Sequence, residues 1–203
     1  MPRSSPKYLP ADERRAATVQ AVIALAADRN PADITTAAIA DHMQLTQGAL
    51  FRHFPNKEAI WDAVMAHAEK TLLARVDAAI ARSDGPLAAL EAMFQAHVDF
   101  IVAHPGIPRI LFAELQHDRT TPAKNRVRAL LEQYRVRLLE QARRGIARGA
   151  LRDALDLDAM PALFLGMIQG LVIQAMLAGD IRRMKSQAPA LFALFLQGIG
   201  VRS

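Results

Sequence analysis

Apolar residues along this chain recur mainly at helical spacing. Val19, Val22, Ile23 and Ala26 form a stripe at i, i+3, i+4 and i+7, which predicts a first helix over about 11–27, stopped by Asn30-Pro31. Thr35 or Thr36 is placed to cap a second helix that buries Ile39, Ala40 and Met43. Gln44-Leu45 turns the chain, Thr46 caps a third helix closed by Phe54-Pro55, and Asn56 caps a fourth that continues to about residue 82. After the Asp84-Gly85-Pro86 turn, Leu90, Met93, Phe94, His97, Phe100 and Ile101 share one face of a helix over 87–104. His104-Pro105-Gly106 breaks it, and a shorter helix follows over 108–117. Val127, Leu130, Leu131, Tyr134, Leu138 and Ala142 then make the inner face of a helix over about 122–148. Residues 149–157 read as a linker, with Asp158 as N-cap of a helix over 159–178, and a last helix is predicted over 189–199. The expected fold class is all-α.

Composition narrows the picture. The 203 residues suffice for one large domain or two small ones, and β-branched and aromatic residues are sparse beside Ala and Leu. The absence of Cys removes disulfides, thiolate metal sites and thiol nucleophiles, and fits a reducing, cytoplasmic setting. Residues 1–10 hold prolines, serines and charge without an apolar core, so a disordered basic arm is expected there rather than a signal peptide. The net charge of +5 suits a polyanionic partner. Residues 1–60 contain seven Lys/Arg against six acids, however, while residues 119–152 hold ten basic residues against Glu132 and Glu140. Charge alone therefore does not locate a nucleic-acid site.

The segment 34–61, ITTAAIADHMQLTQGALFRHFPNKEAIW, does locate one. Two short capped helices joined by a tight turn, with an exposed Gln-Gly-Ala edge opening the second, have the layout of a helix-turn-helix. Thr35-Thr36, Ile39-Ala40, Thr46-Gln47-Gly48, Leu50-Phe51, Phe54 and Asn56-Lys57-Glu58 together resemble the DNA-binding domain of TetR/AcrR-type bacterial transcriptional regulators, closely over about 11–64. The resemblance implies an N-terminal DNA-binding domain over 11–57 and a helical ligand-sensing and dimerisation domain over 58–203. It places Gln47, Gly48 and Ala49 at base edges, where Gln pairs bidentately with adenine and Gly allows close backbone approach. Thr36, Arg52, His53 and Lys57 would meet phosphates, and Thr35, Thr46 and Phe51 complete the implied DNA-binding set. Three positions depart from the family pattern: Phe51 stands where Tyr is usual, Gln44 where the turn commonly has Gly, and Asn30-Pro31 where a glycine commonly follows the first helix. On packing grounds alone, Phe51 and Phe54 read as core wedges.

The remaining chain suggests a sensor and a dimer. The uncharged run 159–179 contains Gly166-x-x-x-Gly170 and on its face could cross a membrane. Pro161, Gln169 and Gln174 favour a buried helix instead, and no membrane partner is expected. Leu163, Gly166, Gly170, Ile173 and Leu177, with Leu191, Leu194, Phe195 and Gly198 on the last helix, are candidates for a homodimer interface of the kind the family implies. A pocket for a small lipophilic or aromatic effector would be walled by Met65, Met93, Phe94, Phe100, Ile110, Phe112, Tyr134 and Met167. His97, His104, Arg109, Glu114 and Gln169 are its candidate polar anchors. His97 and His104 lie ~10 Å apart along one helix face, too far to share a metal ion. Glu114-x-x-His117 lacks the further carboxylates of a di-iron site. No metal, cofactor or catalytic set is expected, so an enzyme is not. The leading function is a repressor released from a palindromic DNA operator by a small ligand; the alternative is a DNA-binding or architectural protein controlled by a protein partner.

Overall fold

The computed structural model describes residues 10–201; the arm expected at the N-terminus lies outside them but for Pro10. The described chain is helical, with α1 Ala11–Asp28, α2 Thr36–His42, α3 Gln47–Phe51, α4 Lys57–Ala81 and α5 Pro86–Ala103. There follow α6 Gly106–Leu115, α7 Pro122–Ala147, α8 Ala159–Leu177 and α9 Arg183–Ile199. A 3-10 turn over Pro31–Asp33 joins α1 to α2, and one antiparallel bridge pairs Leu151 with Gly200. Two compact units divide the chain: residues up to Ala68 with His104–Arg126, and Glu69–Ala103 with the chain from Val127 onward. Helix α4 gives its first half to one unit and its second half to the other.

The first unit is built on α1, whose Val19, Val22, Ile23 and Ala26 are buried as the stripe predicts. Ile34, Ile39, Leu50, Phe54, Ile60 and Val64 complete the core, each at most 1% exposed. Removing six such side chains from water is the main favourable term here, at roughly 1.5–3 kcal/mol each. Helix α6 packs on α1 with almost no gap: a Cβ on Gly106 would overlap the Ile23 carbonyl oxygen and stand 3.0 Å from the Ala27 nitrogen. Asp62 and Arg126 close the unit with a fork-to-fork pair, Nη2 to Oδ2 at 3.1 Å.

In the second unit α5, α8 and α9 pack on one another around aromatic rings. Phe94 meets Phe164 edge-on at 5.4 Å and Phe192 at 5.4 Å, and Phe164 meets Phe195 at 5.6 Å. Leu138, Leu139 and Ala142 of α7 and Leu72, Leu73 and Val76 of α4 are also buried. Arg137 of α7 grips Asp77 of α4 at 2.6 and 2.8 Å, and its side-chain hydrogen bonds hold the Asp77 carboxyl below the usual carboxylate range. By length and composition α5 and α8 could each cross a membrane, yet both contribute buried faces to this core.

Five expectations change: Leu131, read as part of the inner face of α7, is 37% exposed. Helix α6 begins at Gly106 rather than residue 108, because the Gly contact with α1 fixes the first turn there. The cap of α8 is Asp156, not Asp158: the Asp156 carboxylate accepts from the Asp158 and Ala159 amides at 2.9 Å, while Asp158 pairs with Arg135 at 3.1 Å. Helix α9 starts six residues before Pro189, which lies inside it. Burial of Met184 and Ala188 holds that first turn despite the hydrogen bond that proline cannot donate. Met43, finally, is only half-buried.

The turn after α2 is a Schellman motif. Leu45 N–H donates to Ala40 O at 2.8 Å and Gln44 N–H to Asp41 O at 3.0 Å, with Gln44 at φ 56°. A side chain in this left-handed region costs about 1 kcal/mol. Gln44→Gly should therefore raise the unfolding free energy by up to about 1 kcal/mol in a urea titration. An unchanged or lower midpoint would show that the Gln44 side chain recovers its strain elsewhere.

Candidate DNA interface

Each short helix is set by its cap. Thr35 Oγ1 accepts from the Ala38 amide at 3.1 Å, Thr46 Oγ1 from the Ala49 amide at 3.2 Å, and Asn56 Oδ1 from the Ala59 amide at 2.8 Å. Ile39, Ala40, Leu50 and Phe54 bury the inner side of this pair of helices. Their outer side is left to solvent: Thr46, Gln47, Gly48, Phe51 and Arg52 are exposed, and Ala49 and His53 half-buried. Phe51 is 44% exposed, so the wedge reading fails for it; Leu50 and Phe54 already fill the interior. A Cβ on Gly48 would meet only Thr46 Oγ1, at 4.0 Å, so its lack of a side chain is not imposed by packing within the chain.

Two side-chain placements were not legible from the linear sequence. Gln47 Nε2 donates to Thr36 Oγ1 at 3.2 Å, tying the exposed edge of α3 to the first residue of α2. The contact spans eleven positions and depends on the angle between two helices, so no local pattern announces it. Arg15 of α1 lies 4.4 Å over the Phe54 ring and donates to the His53 carbonyl, fixing the end of the α3 segment.

Lys57 differs most from its expected place. Its ammonium donates to Pro31 O at 3.2 Å and Ala32 O at 3.4 Å and lies 5.1 Å from the centre of the Trp61 ring. Burial lowers its pKa, opposed by the negative charges of Glu114 and Asp33. In this structure Lys57 clamps the 3-10 turn to the start of α4. Arg52 and His53 remain as the exposed and half-exposed basic groups at the end of α3.

The residues read as pocket walls fall in both units. Met65, His104, Arg109, Ile110, Phe112 and Glu114 belong to the first, where the rings of His104 and His67 meet edge-on at 6.4 Å. The second holds Met93, Phe94, His97, Phe100, Tyr134, Met167 and Gln169. There the His97 ring lies 5.3 Å from that of Tyr134, whose hydroxyl donates to Met93 O at 3.3 Å. Burial raises the Tyr134 pKa and lowers that of His97 to about 4. His97 Nδ1 is buried with no hydrogen-bond partner among the described residues. Gln169 points outward on α8 and anchors nothing inside.

Of the residues read as a dimer face, Leu163, Ile173, Leu177 and Leu194 are large and exposed, Leu177 at 84%. Gly166, Gly170 and Gly198 have open space where a Cβ would stand, and Leu191 is half-buried. Phe195 is instead drawn into its own core between Phe164 and Phe192.

Comparison with known proteins fits this architecture. Residues 19–64 match the family model for bacterial regulatory proteins of the tetR family, and residues 86–191 match that for the tetracyclin repressor-like C-terminal domain. The nucleoid occlusion factor SlmA of Marinomonas sp. (strain MWYL1) is 24% identical over 159 residues, 78% of this chain and 81% of that protein. The ketosteroid transcriptional regulator KstR2 of Mycobacterium tuberculosis shares the fold with a TM-score of 0.76 at 24% identity, over 93% of this chain and 96% of that one. FadR from Bacillus subtilis, solved in complex with stearoyl-CoA, has a TM-score of 0.78 at 16% identity, over 91% and 98% of the two chains. The two family matches together take in the helix-turn-helix and most of the remaining helices, and the chain belongs to the TetR family of DNA-binding transcriptional regulators.

Proposed function

We propose that this regulator is a cytoplasmic homodimeric repressor that leaves a palindromic operator when a small lipophilic or aromatic molecule binds its helical C-terminal part. The observation that carries the DNA half is the exposed Gln47-Gly48 edge of α3, with Ala49 half-buried beside it and the Gln47 amide held by Thr36. A held amide presents one hydrogen-bonding edge to a base pair and loses less freedom on binding. The exposed leucines and open glycines of α8 and α9 support self-association, which would repeat the reading edge at two half-sites. Met93, Phe94, His97 and Tyr134 support an apolar effector, and the stearoyl-CoA bound to FadR shows that this fold accommodates a lipophilic ligand in one relative. The SlmA relatives favour a second reading, a DNA-binding protein serving the nucleoid rather than one operon.

Selection from a randomised duplex pool tests the DNA half. The wild-type chain should enrich an inverted repeat, and Gln47→Ala should lose discrimination at one base pair per half-site by about 1–3 kcal/mol. Thr36→Val should blur the same position, while Thr36→Ser retains it. No enriched sequence, or one spaced without two-fold symmetry, would refute the reading.

A further inference from the structure

Among residues 34–61, Phe51 is the only exposed large apolar side chain. An isolated phenyl ring in water is common on protein surfaces; what distinguishes this one is its place. Its neighbours Leu50 and Phe54 take the interior, and Phe51 is turned about 100° around α3 from Leu50. One turn earlier stands Gln47, only about 40° away on the same side. The ring therefore lies beside the amide that Thr36 holds, with Gly48 and Arg52 exposed next to it. No side chain rises from Gly48, whose missing Cβ would meet nothing closer than Thr46 Oγ1 at 4.0 Å.

Chemistry limits what such a ring can do at a DNA surface. A phenyl group has no hydrogen-bond donor or acceptor, so it neither pairs with a base edge nor bonds a phosphate oxygen. In the major groove every base pair shows polar atoms, and thymine alone adds an apolar group, its C5-methyl. Laid against the amino edge of cytosine, the ring would strip water from a donor and return no hydrogen bond. Laid against a methyl group, it removes apolar surface from water on both sides.

We infer that Phe51 reads the 5-methyl group of a thymine in the DNA site, which rests on α3 being the base-reading helix proposed above. Gln47 and Phe51 are four residues apart, about 6 Å along the helix axis and a little under two base-pair steps of roughly 3.4 Å. The thymine therefore lies within two base pairs of the pair read by Gln47, in each half-site. The Gln47 amide takes a polar edge and Phe51 an apolar one, so a helix as short as Gln47–Phe51 fixes two neighbouring positions from one side.

Uracil differs from thymine only by this methyl group and pairs with adenine in the same way, so it isolates the contact. Duplexes recovered by selection with the full-length protein carry uracil at one thymine position at a time, in one or both half-sites. Dissociation constants are measured at fixed salt. For the wild-type chain, one position within two base pairs of the Gln47-dependent pair should weaken about fourfold per half-site and about fifteenfold when both are changed. That is the worth of one methyl group taken out of water at each. Replacing that T·A pair by C·G should also weaken binding, and 5-methylcytosine there should recover about fourfold. Phe51→Ala should bind thymine and uracil duplexes alike, while Phe51→Leu keeps part of the difference. An enriched operator with no methyl-dependent thymine, or a thymine–uracil difference that persists in Phe51→Ala, overturns this inference and leaves the DNA reading standing. A pool with no enriched sequence overturns both.

Discussion

Replacing Gly106 with Ala should lower the melting temperature by roughly 6–12 °C, the equivalent of about 3 kcal/mol in a chain of this size. The added methyl would collide with the Ile23 carbonyl oxygen and stand 3.0 Å from the Ala27 nitrogen. Both are backbone atoms of α1, so no rotamer change relieves the clash, and α6 must move away from α1. Gly85→Ala is the matched control, since its Cβ would meet only Arg148 Nη1 at an ordinary 3.6 Å. Thermal melts followed by far-ultraviolet circular dichroism decide the matter. A Gly106→Ala midpoint within about 2 °C of wild type would mean that α6 and α1 separate at little cost, and that the first unit does not depend on this contact.

Acidification should destabilise the protein through His97. Its pKa is lowered to about 4 by burial, against an ordinary value of 6.5. Below that ordinary value the unfolded chain takes up a proton that the folded imidazole accepts only near pH 4. The folded state therefore loses about 1.4 kcal/mol per pH unit from this group between those limits, about 3 kcal/mol across the window, and keeps its full contribution above pH 6.5. The unpartnered Nδ1 beside the Tyr134 ring explains the cost, because nothing nearby compensates a positive charge. His97→Leu removes the titrating group. Urea midpoints at pH 7.5, 5.5 and 4.5 should fall more steeply for wild type than for the variant. Parallel decline would show that the imidazole reaches water, or a partner, as the pH drops.

The sequence carried its caps and core stripe into the structure with little loss. Thr35, Thr46 and Asn56 act where a hydroxyl or amide precedes an apolar-periodic run, and Gln44 adopts the positive φ that its place in the turn requires. Such signals are local, depending on two to five neighbouring residues. What the sequence hid depends on contacts between distant segments. The start of α6 follows from Gly106 meeting α1, and the extension of α9 past Pro189 from burial of Met184 and Ala188. The choice of Asp156 over Asp158 as cap depends on Arg135, twenty-three residues away from the displaced carboxylate. Within the DNA-facing segment, the Thr36–Gln47 bond and the inward turn of Lys57 were both invisible for the same reason.

The inward turn of Lys57 bears on how such a protein would find its target. An ammonium held by the Pro31 and Ala32 carbonyls releases no counterion when the protein meets DNA, and Arg15 is likewise engaged at the His53 carbonyl. Each phosphate neutralised steepens the ionic-strength dependence of binding by about 0.9 in log–log slope, and the same contacts provide the grip on arbitrary sequence. With these two cations engaged in this way, the slope of DNA affinity against salt is expected to be less steep by about 0.9 for each, which titrations over a range of ionic strength would test. Residence at an operator would then rest more on hydrogen-bond fit and on two subunits engaging together.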